Sequence, residues 1–189
     1  MNVRRLVVGI SGVSGVIYGI RLLSVLSKLE IERHVVMTKA AEKVIQLETE
    51  FPITKVKELS TKFYDVDNVA ASISSGSFPV DGMVIVPCSM KSLAGIAAGY
   101  SANLLLRAAD VTLKEKRPLV LVVREMPLSA IHIRNMLKLA SIGVTILPAA
   151  PGYYHKPKTI DDLVDHVVGK VLDVLNIKHN LYERWGEHQ

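Results

Sequence analysis

The sequence predicts an α/β fold, a three-layer αβα domain on a doubly wound, mainly parallel sheet. Three observations carry this. Short β-rich runs alternate with helical patterns along the chain. Each run is almost continuously apolar, the signature of a strand buried on both faces of a parallel sheet. Connections are short, with no linker, internal repeat or low-complexity segment. A chain of 189 residues suits one sizeable core, so a single domain is expected over residues 1–189.

Taken in order, the expected strands are LVVGI (6–10), HVVMT (34–38), GMVIVP (82–87), PLVLVV (118–123) and VTILP (144–148). Behind the first comes a helix with Val16, Ile20, Leu23 and Leu26 at helical spacing. The segment from Phe51 to Pro79 is the least regular and leaves room for a short helix and a strand before SISSGS. Arg107, in NLLLRAAD, sits on a helix rich in Leu and Ala. The last helix carries Ile160, Leu163, Val164, Val167, Val168, Val171, Leu172 and Leu175. Thr159 is its expected N-cap, with Asp161 and Asp162 in the first turn.

Composition excludes several classes. With 23 basic and 18 acidic residues the net charge is +5, enough to favour a small anionic ligand. The cations are scattered and only 5% of residues are aromatic, so a nucleic-acid footprint is absent. One Cys excludes an internal disulfide framework and fits a reducing compartment. Arg4 and Arg5 precede an apolar stretch, but Gly and Ser interrupt it at once and no Ala occurs before Ala40, against a signal peptide. No apolar run approaches membrane-spanning length, and a cytoplasmic protein is expected. Yet 49% hydrophobic residues and a mean hydropathy of +0.30 are high for a small monomer, which points to apolar surface buried between subunits.

Ligands of doubly wound folds bind beyond the carboxyl ends of the strands. The polar clusters fall there: GVSG (12–15), Thr38, CSMKS (88–92), REMP (124–127) and APGYYHKP (150–157). GISGVSG is not G-x-G-x-x-G, so the dinucleotide fingerprint is missing. What remains is a tight strand-to-helix turn that brings backbone amides close to an anion or a flat ring. Ser14 either contacts that ligand or merely caps the helix. In CSMKS, Cys88 reads as small core packing, whereas Ser89 and Ser92 are ligand candidates, with capping enough to explain one of them. Arg124 and Glu125, directly behind a buried strand, need a partner or a function. Glu48, Arg107, Lys114 and Lys170 read by default as exposed helical faces, and no metal-ligand spacing occurs among the His residues. A hydroxyl-rich, phosphate-friendly edge suits a flavin mononucleotide or another nucleotide.

Read together and in order, the segments resemble the UbiX family of flavin prenyltransferases. The likeness rests on GISGVSGVIYG, ETEF (48–51), ASISSGSF (71–78), VPCSMKSLAGIA (86–97), RAADVTLKEKRPLVLVVRE (107–125), LPAAPGYYHKP (147–157), the DDLVDHVVGK helix and RWGE. It covers essentially the whole chain. The resemblance implies a Rossmann-like (flavodoxin-like) architecture and a metal-independent enzyme that modifies flavin. Family members attach the prenyl group of dimethylallyl phosphate to reduced FMN, close a fourth ring and release phosphate. Prenylated FMN then serves UbiD-type decarboxylases, including that of ubiquinone biosynthesis. A dodecamer is implied, with the tail, about 176–189, touching a neighbouring subunit.

By matching motifs, the resemblance makes Gly12, Val13, Ser14, Thr38, Ser89, Met90, Lys91, Ser92 and Arg107 the flavin contacts. Tyr154 and Lys170 match the dimethylallyl-phosphate contacts, with Lys114 and Arg124 as further phosphate cations and Trp185 beside the allyl fragment. Ser14 and Glu48 are expected to assist proton transfer, while Glu125 either orients a cation or joins that transfer. The family often has Ser at the position of Thr38, and some members have Arg at that of Lys170, where Lys lacks the bidentate fork. Two rivals stand beside this reading. A related cysteine decarboxylase would need a catalytic His early in the chain, where only His34 is available. A non-enzymatic flavin carrier would need no cationic phosphate pocket.

Overall fold

The computed structural model describes residues 4–186. Its strands are β1 (Arg5–Ile10), β2 (Glu32–Met37), β3 (Lys62–Tyr64), β4 (Gly82–Cys88), β5 (Leu119–Val123) and β6 (Thr145–Pro148). They form one sheet in the order β3-β2-β1-β4-β5-β6, with every pairing parallel. The helices are α1 (Val16–Lys28), α2 (Lys39–Glu48), α3 (Ile53–Glu58), α4 (Met90–Ala98), α5 (Leu104–Lys114), α6 (Ala130–Ala140) and α7 (Ile160–Val174), with one 3-10 turn at Ser72–Ser74.

Alternation along each strand divides the core into two. Leu6, Val8 and Ile10 of β1 face α1, α2, α3 and α7, whose Leu22, Leu23, Leu26, Ile45, Val168 and Leu172 are buried there. Val7 faces the other way, with Met83 and Ile85 of β4, toward α4, α5 and α6. Both faces are covered, which is why these strands read as continuous apolar runs.

The expected strands lie where the sequence put them, with corrections at their ends. β2 begins two residues early, at Glu32, because its polar start pairs with Arg5 of β1 and is invisible to an apolar pattern. Thr38 is not a strand residue but the N-cap of α2, its hydroxyl accepting from the Ala41 N–H at 3.1 Å. His34 lies inside β2, buried and 2.8 Å from the Tyr64 hydroxyl, a core histidine. Phe51 to Pro79 holds α3 and the edge strand β3. Thr159 caps α7 in a capping box with Asp162. Ile160 is 75% exposed and so stands outside the core stripe.

The strand order reverses direction between β1 and β4. At such a switch point the loops behind the two central strands part and leave a crevice. Ser11, 1% exposed, bridges it: its Oγ donates to the Pro87 carbonyl at 2.9 Å and accepts the Ser89 N–H at 2.7 Å. Replacing Ser11 by Ala leaves the Ser89 N–H without its acceptor beside a buried site, while the Pro87 carbonyl keeps the Ser11 backbone N–H at 3.2 Å. Ser11→Ala is therefore expected to lower unfolding stability by about 1–3 kcal/mol in urea titrations, more than Ser14→Ala at the exposed neighbouring position.

Candidate active site

The GVSG turn is shaped by two glycines. Gly15 holds φ at +97°, a left-handed conformation that side chains resist. Gly12 lies so close to α2 that a Cβ would sit 2.3 Å from that of Ala40. The N-cap of α1 is Gly15, without a side-chain cap, and Ser14 is an exposed loop residue. The capping reading of Ser14 is thus overturned.

The Ser14–Gly15 peptide is pinned at both ends. The Gly15 N–H donates to Glu48 Oε2 at 2.8 Å, and the Ser14 carbonyl accepts from Arg124 Nε at 3.1 Å. Glu48 closes α2 and brings a carboxylate to the N-terminus of α1, where the helix field favours an anion. Three expected site residues, one on the β1–α1 loop, one at the end of α2 and one behind β5, therefore meet at one peptide unit. Glu125 is beside them in sequence but turns back, accepting the Met126 N–H at 3.1 Å.

Across the switch point, Ser89 caps α4: its Oγ accepts the Ser92 N–H at 3.2 Å and donates to Ser92 Oγ at 3.1 Å. Met90 and Lys91 open that helix, and their amides have no acceptor within it. Cys88 is fully buried, and burial pushes its thiol up to about 12, so the packing reading holds.

A second group forms where the β6–α7 loop meets the tail. Tyr154 lies edge-on to Trp185 at 5.6 Å and 3.3 Å from His166 Nε2. Lys170 follows His166 by one turn of α7, its Nζ 3.6 Å from Asp173 Oδ2. Asp173 anchors the tail, accepting from Arg184 at 2.8 Å, from His179 at 3.0 Å and from the Tyr182 hydroxyl. Burial would raise the Asp173 carboxyl, but the hydrogen bonds from Arg184, Tyr182 and His179 outweigh it and hold it well below the usual carboxylate range. A cleft of about 340 Å³ opens between residues 154–156 and 183–186. Burial raises the pKa of Tyr18 on α1, with Arg124 lowering it and Tyr153 raising it.

Arg107 and Lys114 stand apart. Both are on α5, in the other helix layer, and seven residues separate them by roughly 10 Å along the axis. Arg107 donates to the Ser74 carbonyl at 3.2 Å and pairs with Asp110 at 2.6 Å. Lys114 pairs with Glu115 near the entry to β5, at the end of the sheet away from Ser14. Sequence reading missed Ser11, Tyr18, His166 and Asp173. Ser11 lay within the quoted GISG turn, but its bridge is visible only once β1 and β4 are neighbours.

Fold and edge together define a flavoprotein-type doubly wound domain, with its site at the β1/β4 switch point. The Flavoprotein family model matches residues 1–172, and the chain belongs to that family and, within it, to the flavin prenyltransferases of the UbiX type. Flavin prenyltransferase UbiX of Salmonella typhimurium is 51% identical over 185 residues, covering 96% of this chain and 98% of the relative. The structure of AnUbiX (PadA1) in complex with FMN and dimethylallyl pyrophosphate matches with a TM-score of 0.96 at 45% identity over 98% of both chains. A dodecameric FMN-dependent UbiX-like decarboxylase from Escherichia coli O157:H7 matches with a TM-score of 0.94 at 49% identity, over 96% of this chain and 98% of that one. Cysteine decarboxylases such as SpaF, at 20% identity, share the fold alone.

Two outcomes follow from this geometry. Asp173→Ala releases the tail, so tryptic cleavage at exposed Lys178 is expected to accelerate by about tenfold or more, whereas Lys170→Ala leaves it near the parent rate. Cys88 is expected to react with a thiol reagent only as fast as the chain unfolds, at neutral and mildly alkaline pH alike.

Proposed function

We propose that this chain transfers a dimethylallyl group from dimethylallyl phosphate to reduced FMN, closes a fourth ring and releases phosphate. The observation that carries this reading is the meeting of Ser14, Glu48 and Arg124 at one peptide unit; Tyr154 and Trp185, edge-on to each other, form a second group where the β6–α7 loop meets the tail. The residues fit a flavin mononucleotide. The Gly12 turn allows backbone to approach a flat ring, and the start of α4 offers the Met90 and Lys91 amides to an anion. Gly12, Val13, Ser14, Thr38 and Ser89 to Ser92 are the proposed flavin contacts, with Arg107 as a further one.

The division of labour follows from chemistry. As the allylic C–O bond breaks, its electron pair leaves on phosphate, and donors preorganised on Tyr154, Lys170 and Arg124 stabilise that charge. The positive charge left on the allyl fragment favours the ring face of Trp185. Ser14, held by the pinned peptide, and Glu48 move the proton released as the flavin gains its bonds, with Glu125 orienting Arg124 or sharing that transfer.

Assembly completes the reading. Ile133 and Leu137 lie one turn apart on an exposed face of α6, and Ile131, Met126 and Ile142 are exposed around them, as expected of a surface that meets other copies. A homododecamer is proposed, with the tail meeting a neighbour beyond its contacts to α7. Because Lys114 lies away from its own chain's Ser14, it serves as a phosphate cation only across a subunit boundary. A UbiD-type decarboxylase is the proposed recipient of the product, and the cytoplasm the proposed compartment.

Anaerobic incubation with reduced FMN and dimethylallyl phosphate, followed by mass spectrometry of the released flavin, tests this. FMN heavier by one prenyl unit is the expected product. Ser14→Ala and Glu48→Gln are expected to slow its formation by about a hundredfold or more while FMN still binds. Lys170→Ala is expected to act through a raised KM for the donor. Unmodified FMN recovered from protein that binds it overturns the reading.

A further inference from the structure

His166 was singled out by no motif, yet it stands behind the proposed donor contact. It is buried on α7, 7% exposed, and both its ring nitrogens are engaged. The Gly152 N–H donates to His166 Nδ1 at 3.2 Å. A backbone amide can only donate, so Nδ1 must carry a lone pair and, in the neutral ring, the proton sits on Nε2. Nε2 is 3.3 Å from the Tyr154 hydroxyl oxygen. That N–H therefore donates to Tyr154 Oη, and the hydroxyl's own proton is left to point elsewhere.

The ring is held for this task. His155 lies parallel to it, centroids 4.9 Å apart and planes 4° from each other. Neither ring nitrogen of His155 has a hydrogen-bond partner among the described residues, so it serves as a flat wall. Tyr182 of the tail covers the other approach at 4.8 Å. Burial, then charge on His155 and Lys170, lowers the pKa of His166, with only Asp173 opposing, which favours the neutral tautomer the geometry needs.

We infer that His166 is a positioning residue for prenyl transfer: with its tautomer set by the Gly152 amide, it donates Nε2–H to Tyr154 and so aims the tyrosine hydroxyl proton at the phosphate of the prenyl donor. The inference rests on the reading of Tyr154 as a donor contact. A tyrosine oxygen that already accepts a hydrogen bond is also a better donor, because the two bonds polarise each other. The arrangement thus orients a neutral donor beside the cation of Lys170 without adding a second charge.

The test is steady-state kinetics with reduced FMN saturating and dimethylallyl phosphate varied. His166→Gln keeps an amide donor near the Nε2 position, whereas His166→Asn keeps only an acceptor for Gly152. The expected result is a KM for dimethylallyl phosphate raised roughly fivefold to tenfold in His166→Asn, near the parent value in His166→Gln, with FMN affinity unchanged in both. In a Tyr154→Phe background, His166→Asn is expected to add nothing. His166→Phe keeps the ring stack but neither hydrogen bond, and stands in if His166→Asn does not fold. Equal effects of Asn and Gln, additive effects in the Tyr154→Phe background, or parallel loss of FMN binding overturn the inference and leave His166 a structural residue. If Tyr154→Phe itself leaves the KM for dimethylallyl phosphate unchanged, the assignment of Tyr154 fails, and the inference fails with it.

Discussion

Everything at the ligand edge depends on how the chain holds two diverging loops together at the β1/β4 switch point. Winding in opposite directions from neighbouring strands creates the crevice, and it also removes the local chain continuity that would set its width. Ser11 supplies the missing constraint, through its buried hydroxyl and through its backbone N–H, which also reaches the Pro87 carbonyl at 3.2 Å. Ser11 accepts from the Ser89 amide and donates to the Pro87 carbonyl, so the GVSG turn and the start of α4 are placed relative to each other to within a hydrogen bond. Both are turns that open helices, and helix N-termini carry unpaired backbone amides. Their separation sets the width of the crevice between them.

On one side of that bridge the site is a matter of backbone control. The Ser14–Gly15 peptide is gripped by Glu48 and Arg124, groups of opposite charge acting on its N–H and its carbonyl. Neither ion pairs directly with the other through this unit; each uses the peptide dipole. Fixing the peptide fixes the direction in which the Ser14 side chain leaves the turn. On the other side, control comes from side chains. Asp173 gathers Tyr182, His179 and Arg184, lays the tail along α7 and so carries Trp185 to Tyr154. A carboxylate at the base of the tail, far below its usual pKa, keeps that arrangement through any mildly acidic range.

The fold was legible because its signal is local and redundant. Continuous apolar runs such as LVVGI and GMVIVP can satisfy a strand only between two helical layers, and the Thr159–Asp162 box announces its helix in four residues. Errors fell where burial is not apolar: the polar start of β2, which β1 hides, and Ile160, an apolar residue that the core does not reach. The site was legible more unevenly. Candidates in the quoted loops, among them Gly12, Ser14 and Ser89, stood out because glycine and hydroxyl clusters behind strands have few other uses. Glu48, Tyr154 and Lys170 entered through resemblance, since each alone looks like ordinary surface.

Sequence by itself determined the layer architecture, the loop edge and the family, because periodicity and ordered motifs survive reading one residue at a time. Only tertiary structure decided which polar groups meet. Ser11 and Pro87 are 76 positions apart, Ser14 and Arg124 are 110 apart, and Asp173 commands a tail that carries no pattern of its own. Hydrogen bonds of a few ångströms between distant positions leave no periodic trace in the chain. The tautomer of His166 is the extreme case, because it is set by one amide of a loop folded against α7.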